Sequence, residues 1–120
     1  MKFRMKLLAA ASAVAFAASM GLGMAPEAKA DGHAIKVGII LGFTGPIESL
    51  TPGMAASAEL AMKEVTDSGK LLGGKALVPV RADSTCVDSA AATAAAERLI
   101  TSDSVAAIMG ADCSGVTTSI

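Results

Sequence analysis

Tryptophan and tyrosine are absent from this chain, and its 120 residues hold only three phenylalanines, two cysteines and one histidine. Two of the phenylalanines, Phe3 and Phe16, belong to the N-terminal stretch described below, so Phe43 is the single aromatic residue left for a fold. The core must then be assembled from Val, Ile, Leu, Met and Ala. Positive charge is also scarce. Beyond residue 30 there are six basic residues (Lys36, Lys63, Lys70, Lys75, Arg81, Arg98) against ten acidic ones, a net charge of −4 spread along the chain. No basic patch faces a phosphate backbone, which excludes nucleic acid as the expected partner. Two cysteines with no neighbouring histidine make a poor metal set, so no metal site is expected. No G-x-G-x-x-G follows the first apolar run and no Lys-Ser/Thr closes the later glycine-bearing loop, so no nucleotide cofactor is expected.

A long uninterrupted apolar run is missing as well. Lys2, Arg4 and Lys6 precede an Ala-rich apolar stretch from Leu7 to about Met20, and Ala28-Lys29-Ala30 has the small-x-small form of a cleavage site. Residues 1–30 therefore read as a secretory signal peptide cleaved after Ala30, and the product as an exported, periplasmic protein. Gly21, Gly23 and Pro26 interrupt the apolar stretch and no stop-transfer charges follow, which argues against a membrane anchor. A lipid anchor would need a cysteine at the cleavage point, and none is there.

What remains, residues 31–120, has a regular pattern. Ile35 to Leu41 is nearly continuous in apolar side chains, as expected of a strand buried on both faces. Gly42 to Pro52 is rich in turn formers and reads as a long loop, a common place for function. Thr51 is the expected cap of a helix with Pro52 at its first position, an apolar stripe at Ala58, Ala61, Met62 and Val65, and an end at Ser68-Gly69. After Gly73-Gly74, a second strand runs from Ala76 to Asp83, and Pro79 within it assigns it to a sheet edge, because proline cannot donate to a ladder. Asp88 or Ser89 caps a second helix with its stripe at Ala92, Ala95, Ala96, Leu99 and Ile100. Val105 to Met109 is the third strand, and a tight loop then leads to the start of a third helix.

Strand-helix-strand-helix-strand means right-handed parallel crossovers and an α/β, doubly wound parallel sheet. With the second strand at an edge, the expected order is 2-1-3, the flavodoxin-like one. Its ligand crevice lies between the carboxyl ends of strands one and three. Those ends carry the Gly42 to Pro52 loop and the Gly110 to Gly115 loop. Two roles are open to Ser114: a plain N-cap, or, with the free amides behind it, a contact for a carboxylate or phosphate. The third strand ends without a neighbour on its far side, and an open apolar edge invites aggregation. The 120 residues are therefore expected to be the first portion of a longer protein, and residues 31–120 alone to fold poorly.

In an exported protein, Cys86 and Cys113 read first as a disulfide, both being in loops at one end of the sheet. Strands two and three are separated by strand one, so their axes stand about 9 to 10 Å apart and the loops must lean together to be bridged. Free thiols and metal ligation stay open on these grounds.

Several of these stretches taken together resemble a known family. Ile-Lys-Val-Gly-Ile-Ile-Leu-Gly-Phe-Thr-Gly-Pro-Ile, the helix with Ala58-Glu59-Leu60-Ala61, the Gly73-Gly74 turn, Cys86 before an Ala-rich helix, and Ile-Met-Gly-Ala-Asp-Cys-Ser-Gly look like the branched-chain amino acid (Leu/Ile/Val) binding proteins of bacterial ABC importers. The likeness runs from Ile35 to Ile120. It implies the type I periplasmic-binding fold, in which two α/β lobes close on a ligand, and makes this chain the first part of the N-terminal lobe. It also implies a disulfide between Cys86 and Cys113 and a ligand carboxylate held at Ser114 and Gly115. Leu50 sits where several members place an aromatic residue against the ligand, and Phe43 in the same loop is the candidate to compensate. The implied function is capture of a small carboxylate-bearing ligand, an aliphatic amino acid or an amide-like molecule. The implied partners are the membrane permease subunits of an ABC importer, with the full-length protein a monomer that is not an enzyme and carries no cofactor.

Two other classes compete with that reading. The ligand-sensing domain of a receptor uses the same fold. An exported enzyme could use Cys113-Ser114 as a nucleophile, but the single histidine, His33, is close to the expected mature N-terminus and no general base is visible. A dinucleotide site would place Asp83 on a ribose, without the glycine loop that such a site needs.

Overall fold

Alternating apolar side chains on a central strand decide the architecture. The computed structural model describes residues 34–120; the expected signal peptide and His33 lie outside the described residues. Three strands, β1 (Ile35–Leu41), β2 (Leu77–Asp83) and β3 (Ala107–Gly110), form one parallel sheet in the order β2-β1-β3. Helices α1 (Thr51–Asp67) and α2 (Ser89–Thr101) make the crossovers, and a single turn, α3 (Ser114–Thr117), follows β3. The expected parallel α/β sheet with order 2-1-3 is the one observed.

In β1 successive side chains point to opposite faces, so its apolar run feeds two cores. Ile39 and Leu41 pack with Ala55 under α1, joined by Phe43, Ala58 and Met62. Ile40 packs with Ala82, Ala96 and Leu99 under α2, joined by Val80, Ala95, Val105, Ile108 and Ala111. Gly38 makes room for the second core. A Cβ there would stand 2.9 Å from Leu99 Cδ1 and 3.3 Å from Ile108 Cγ1. Pro79 lies in the edge strand, opposite Val37. Arg98 ties α2 to that edge, its Nη2 donating to the Arg81 carbonyl at 3.0 Å while its Nη1 pairs with Asp103 Oδ2 at 2.6 Å.

Several details differ from expectation. The buried face of α1 is Thr51, Ala55, Ala58 and Met62, whereas Ala61 and Val65 of the expected stripe are exposed. The helix is rotated because Thr51, taken as its cap, is its first residue and is fully buried, its hydroxyl donating to the Gly42 carbonyl at 3.1 Å. Leu50 occupies the cap position and makes no capping bond through its side chain. In α2, Asp88 caps as expected, its Oδ1 accepting from Ala90 and Ala91 N–H at 2.9 and 3.0 Å, but Ile100 at the end of the stripe is 60% exposed. The third strand begins at Ala107: Val105 N–H still bonds to the Leu99 carbonyl at the exit of α2, and Ala106 N–H makes the first bond to β1, at the Lys36 carbonyl. Among the described residues no helix is long and apolar enough to cross a membrane.

Candidate functional site

The carboxyl ends of the three strands meet at one peptide group, that joining Leu41 and Gly42. The Leu41 carbonyl accepts from Ser84 N–H, just past β2, and from Phe43 N–H, both at 2.9 Å. Gly42 N–H donates to Asp112 Oδ2, just past β3, at 2.9 Å. With Thr51 on the Gly42 carbonyl, the Leu41–Gly42 segment joins the exits of all three strands and the start of α1. The Gly42 Cα carries no side chain because a Cβ would lie 3.1 Å from Cys86 Cβ and 3.3 Å from Ile47 Cγ1.

A second carboxylate holds the next turn. Asp83 Oδ2 accepts the Thr44 hydroxyl at 2.7 Å, and its Oδ1 accepts Thr85 N–H at 2.8 Å and Thr44 N–H at 3.3 Å. Burial raises the Asp83 pKa, but the Thr44 hydroxyl and the Thr85, Thr44 and Phe43 amides outweigh it and hold the carboxyl below its ordinary value. Gly45 comes so close that a Cβ would stand 2.6 Å from the Thr85 carbonyl oxygen, and its φ of +96° suits glycine alone. Thr85 and Cys86 both have positive φ, +58° and +69°, a costly pair for side-chain-bearing residues. They are held there by Asp83 on one side and by a disulfide on the other. Cys86 and Cys113 are joined, with Cα atoms 5.2 Å apart, so the two loops do lean together and the free-thiol and metal alternatives fall away. A Cys113 thiolate nucleophile is excluded for the same reason. Asp83, considered as a ribose ligand, has both oxygens committed to Thr44 and Thr85.

Ser114 and Gly115 follow directly. Cys113, with extended φ and ψ of −113° and 127°, occupies the cap position and Ser114 is the first helical residue, so the Ser114 hydroxyl is not the N-cap. Both residues are exposed, and a Cβ on Gly115 would meet nothing within 4 Å. The segment is seated from below by Val116, which is buried, and by Thr117, whose hydroxyl donates to the Cys113 carbonyl at 2.9 Å. With four residues, α3 offers little macrodipole, so any hold on an anion comes from the local amides and the hydroxyl. Leu50 is 63% exposed at the mouth of the β1–α1 loop. Phe43 is committed to packing: its ring joins the α1-side core, and the Arg81 guanidinium sits over it, 5.5 Å from the centroid. Arg81 in turn grips Glu59 through two bonds of 2.6 and 2.8 Å, lowering the Glu59 pKa and raising its own. The structure thus brings the Gly42–Leu50 loop and the Ser114 loop to one pole.

Sequence reasoning missed Asp112 and the structural part of Asp83. Asp83-Ser84-Thr85 carried a signal, since an aspartate whose carboxylate takes the amide two residues on is a recurrent turn former. Asp112 carried none, because its partner is 70 positions away.

Residues 34–120 match the family model described as periplasmic binding protein. The chain belongs to the periplasmic binding protein family. It is 39% identical over 98 residues to the Leu/Ile/Val-binding protein homolog 7 of Brucella abortus, an alignment covering 82% of this chain and 23% of the relative. The chain thus spans about a quarter of the length of the curated relatives it matches. Among solved structures it is similar to the branched-chain amino acid transporter substrate binding protein LivJ of Streptococcus pneumoniae, solved in complex with isoleucine. There the TM-score is 0.60 at 28% identity, over 72% of this chain and 24% of that one. The leucine binding protein LivK of Thermotoga maritima shares the fold, with a TM-score of 0.52 at 24% identity over 72% of this chain and 23% of that one.

Proposed function

We propose that this chain is the first part of a two-lobed, exported solute-binding protein that captures an aliphatic amino acid and hands it to the membrane permease of an ABC importer. The observation that carries the reading is the union of the β1 and β3 exits at the switch point of the sheet. There the Gly42–Asp112 bond and the Cys86–Cys113 bridge present an open Ser114–Gly115 segment. Ser114 and the amides beside it hold the ligand carboxylate, and Leu50, apolar and exposed at the rim, contacts its side chain. Phe43 acts from behind, as packing under that loop. The matched relatives are named as homologs of the Leu/Ile/Val-binding protein, which supports an aliphatic ligand, and the exported location follows from the expected cleavage after Ala30. Among the described residues the site offers binding groups and no nucleophile–base pair, which supports carriage over catalysis.

Isothermal titration calorimetry of the two-lobed protein with leucine, isoleucine and valine, beside 2-methylbutylamine, tests the proposal. Saturable heat with at least one amino acid and none with the amine, which lacks the carboxylate, is expected. Absence of binding by all three amino acids, or equal binding of the amine, overturns it.

A further inference from the structure

We propose that Asp112 is a positioning residue of the ligand loop, fixing where Ser114 and Gly115 stand by tethering their segment to β1 through Gly42. The inference rests on the reading of Ser114 as a ligand contact. Two ties hold the chain immediately before Ser114, and they run to different strands. The disulfide fixes Cys113 to Cys86, on the β2 side. The Asp112 carboxylate fixes the preceding residue to Gly42, on the β1 side. One tie leaves a short segment free to swing about the fixed point; two ties to different strands define its direction.

Three observations give the Asp112 tie its weight. First, its anchor is rigid: the Gly42 carbonyl is held by the fully buried Thr51, and the Leu41 carbonyl before it by Ser84 and Phe43. Second, the tie is single. Asp112 Oδ1 is buried with no hydrogen-bond partner among the described residues, so the bond from Gly42 N–H is what orients the carboxylate. Third, the tie joins the two loops that flank the crevice, since Gly42 opens the loop that carries Thr44 and Leu50, and Asp112 opens the one that carries Ser114. The bond therefore sets the spacing of the two loops across which a ligand lies. Its contribution is an acceptor in the right place, and an uncharged acceptor of the same shape can replace it.

Asp112→Asn keeps an oxygen acceptor at this point and Asp112→Ala removes it. Both are compared in the two-lobed protein by isoleucine titration well below each melting temperature and by amide hydrogen exchange at Thr117 and Thr118, whose N–H groups are bonded to the Cys113 and Ser114 carbonyls. D112A is expected to bind about tenfold more weakly and to exchange at least about tenfold faster at those two amides, the measure of one lost hydrogen bond. D112N is expected to stay within about threefold of the parent in both. A purely structural role would lower the melting temperature of D112A and leave affinity and local exchange alone, overturning the proposal. Equal failure of D112N and D112A overturns it too, because charge and not the acceptor would then matter. Should D112A not fold, Asp112→Glu, which displaces the acceptor by one methylene, carries the same expectation. A parent that binds no aliphatic amino acid refutes the site's function, while exchange at Thr117 and Thr118 still decides whether Asp112 holds the loop.

Discussion

Replacing both Cys86 and Cys113 by serine removes a crosslink that closes a loop with a sequence separation of 27. The chain-entropy relation puts the stabilisation from such a closure at about 3.5 kcal/mol at 25 °C. Part of that is offset locally. Thr85 and Cys86 are held at positive φ, at a cost on the order of 1 kcal/mol or more each, and the turn relaxes partly when the bridge goes. Asp83 still grips Thr85 after the change, so only the Cys86 share is released. The expected loss is therefore about 2.5 kcal/mol, with about 3.5 as its ceiling. Urea unfolding at neutral pH reads it, as a midpoint lowered by roughly 1 M or more for an m-value near 2 kcal/mol/M, and with a larger m because the uncrosslinked denatured state is more expanded. A loss under about 0.5 kcal/mol would refute the reasoning. So would free thiols titrated in the denatured, unreduced parent.

Three further outcomes are expected. Ser114→Ala should weaken amino-acid binding by about 1 to 3 kcal/mol without moving the melting temperature, and an unchanged calorimetric Kd would remove Ser114 from the site. Gly110→Ala should prevent folding, because at φ +125° its Cβ would run into the Ile40 carbonyl oxygen; soluble protein with a native circular dichroism spectrum would contradict this. Asp83, with its pKa below the ordinary carboxylate value in the folded state, stabilises the fold above the unfolded pKa. That contribution is lost as pH falls through the folded value. Unfolding free energies measured from pH 6 down to acid should therefore fall less steeply in Asp83→Asn than in the parent, and parallel curves would disprove the assignment.

Much of this fold was legible because its signals are periodic and local. The two-faced run of β1, the proline in β2 and the Asp88 cap each state their own environment. Thr51 shows where local reading fails. Thr-Pro is a sound capping pair by propensity, yet the hydroxyl is drawn inside to satisfy a carbonyl nine residues earlier, and the helix turns with it. Val65 and Ile100 failed for a related reason. A stripe read at helical spacing gives a face, and which part of it is covered depends on where the small sheet ends. At the site, the pole shared by Ser114 and the two cysteines was accessible through chain order, since switch-point geometry follows from topology, whereas the cysteine pairing and a ligand role for Ser114 were implied by the resemblance. Leu50 is exposed at the loop mouth, where a ligand contact was expected, but Phe43, drawn to the same loop by its aromatic character, is committed to Arg81 and the core. The Gly42–Asp112 tie joins two loops by a backbone amide, and a backbone amide leaves no trace in composition.

The central position of β1 has a consequence for biosynthesis. Its residues leave the ribosome before either flanking strand, and Val37 finds its partner Ala107 only after 70 more have been added. At about 5 to 20 residues per second, the most apolar strand of the chain waits roughly 4 to 14 s without a ladder on its β3 side. Holdase capture of nascent chains should therefore centre on Ile35–Leu41, and, because an exported chain pairs its strands only after crossing the membrane, should not fade when Ala107–Gly110 has emerged.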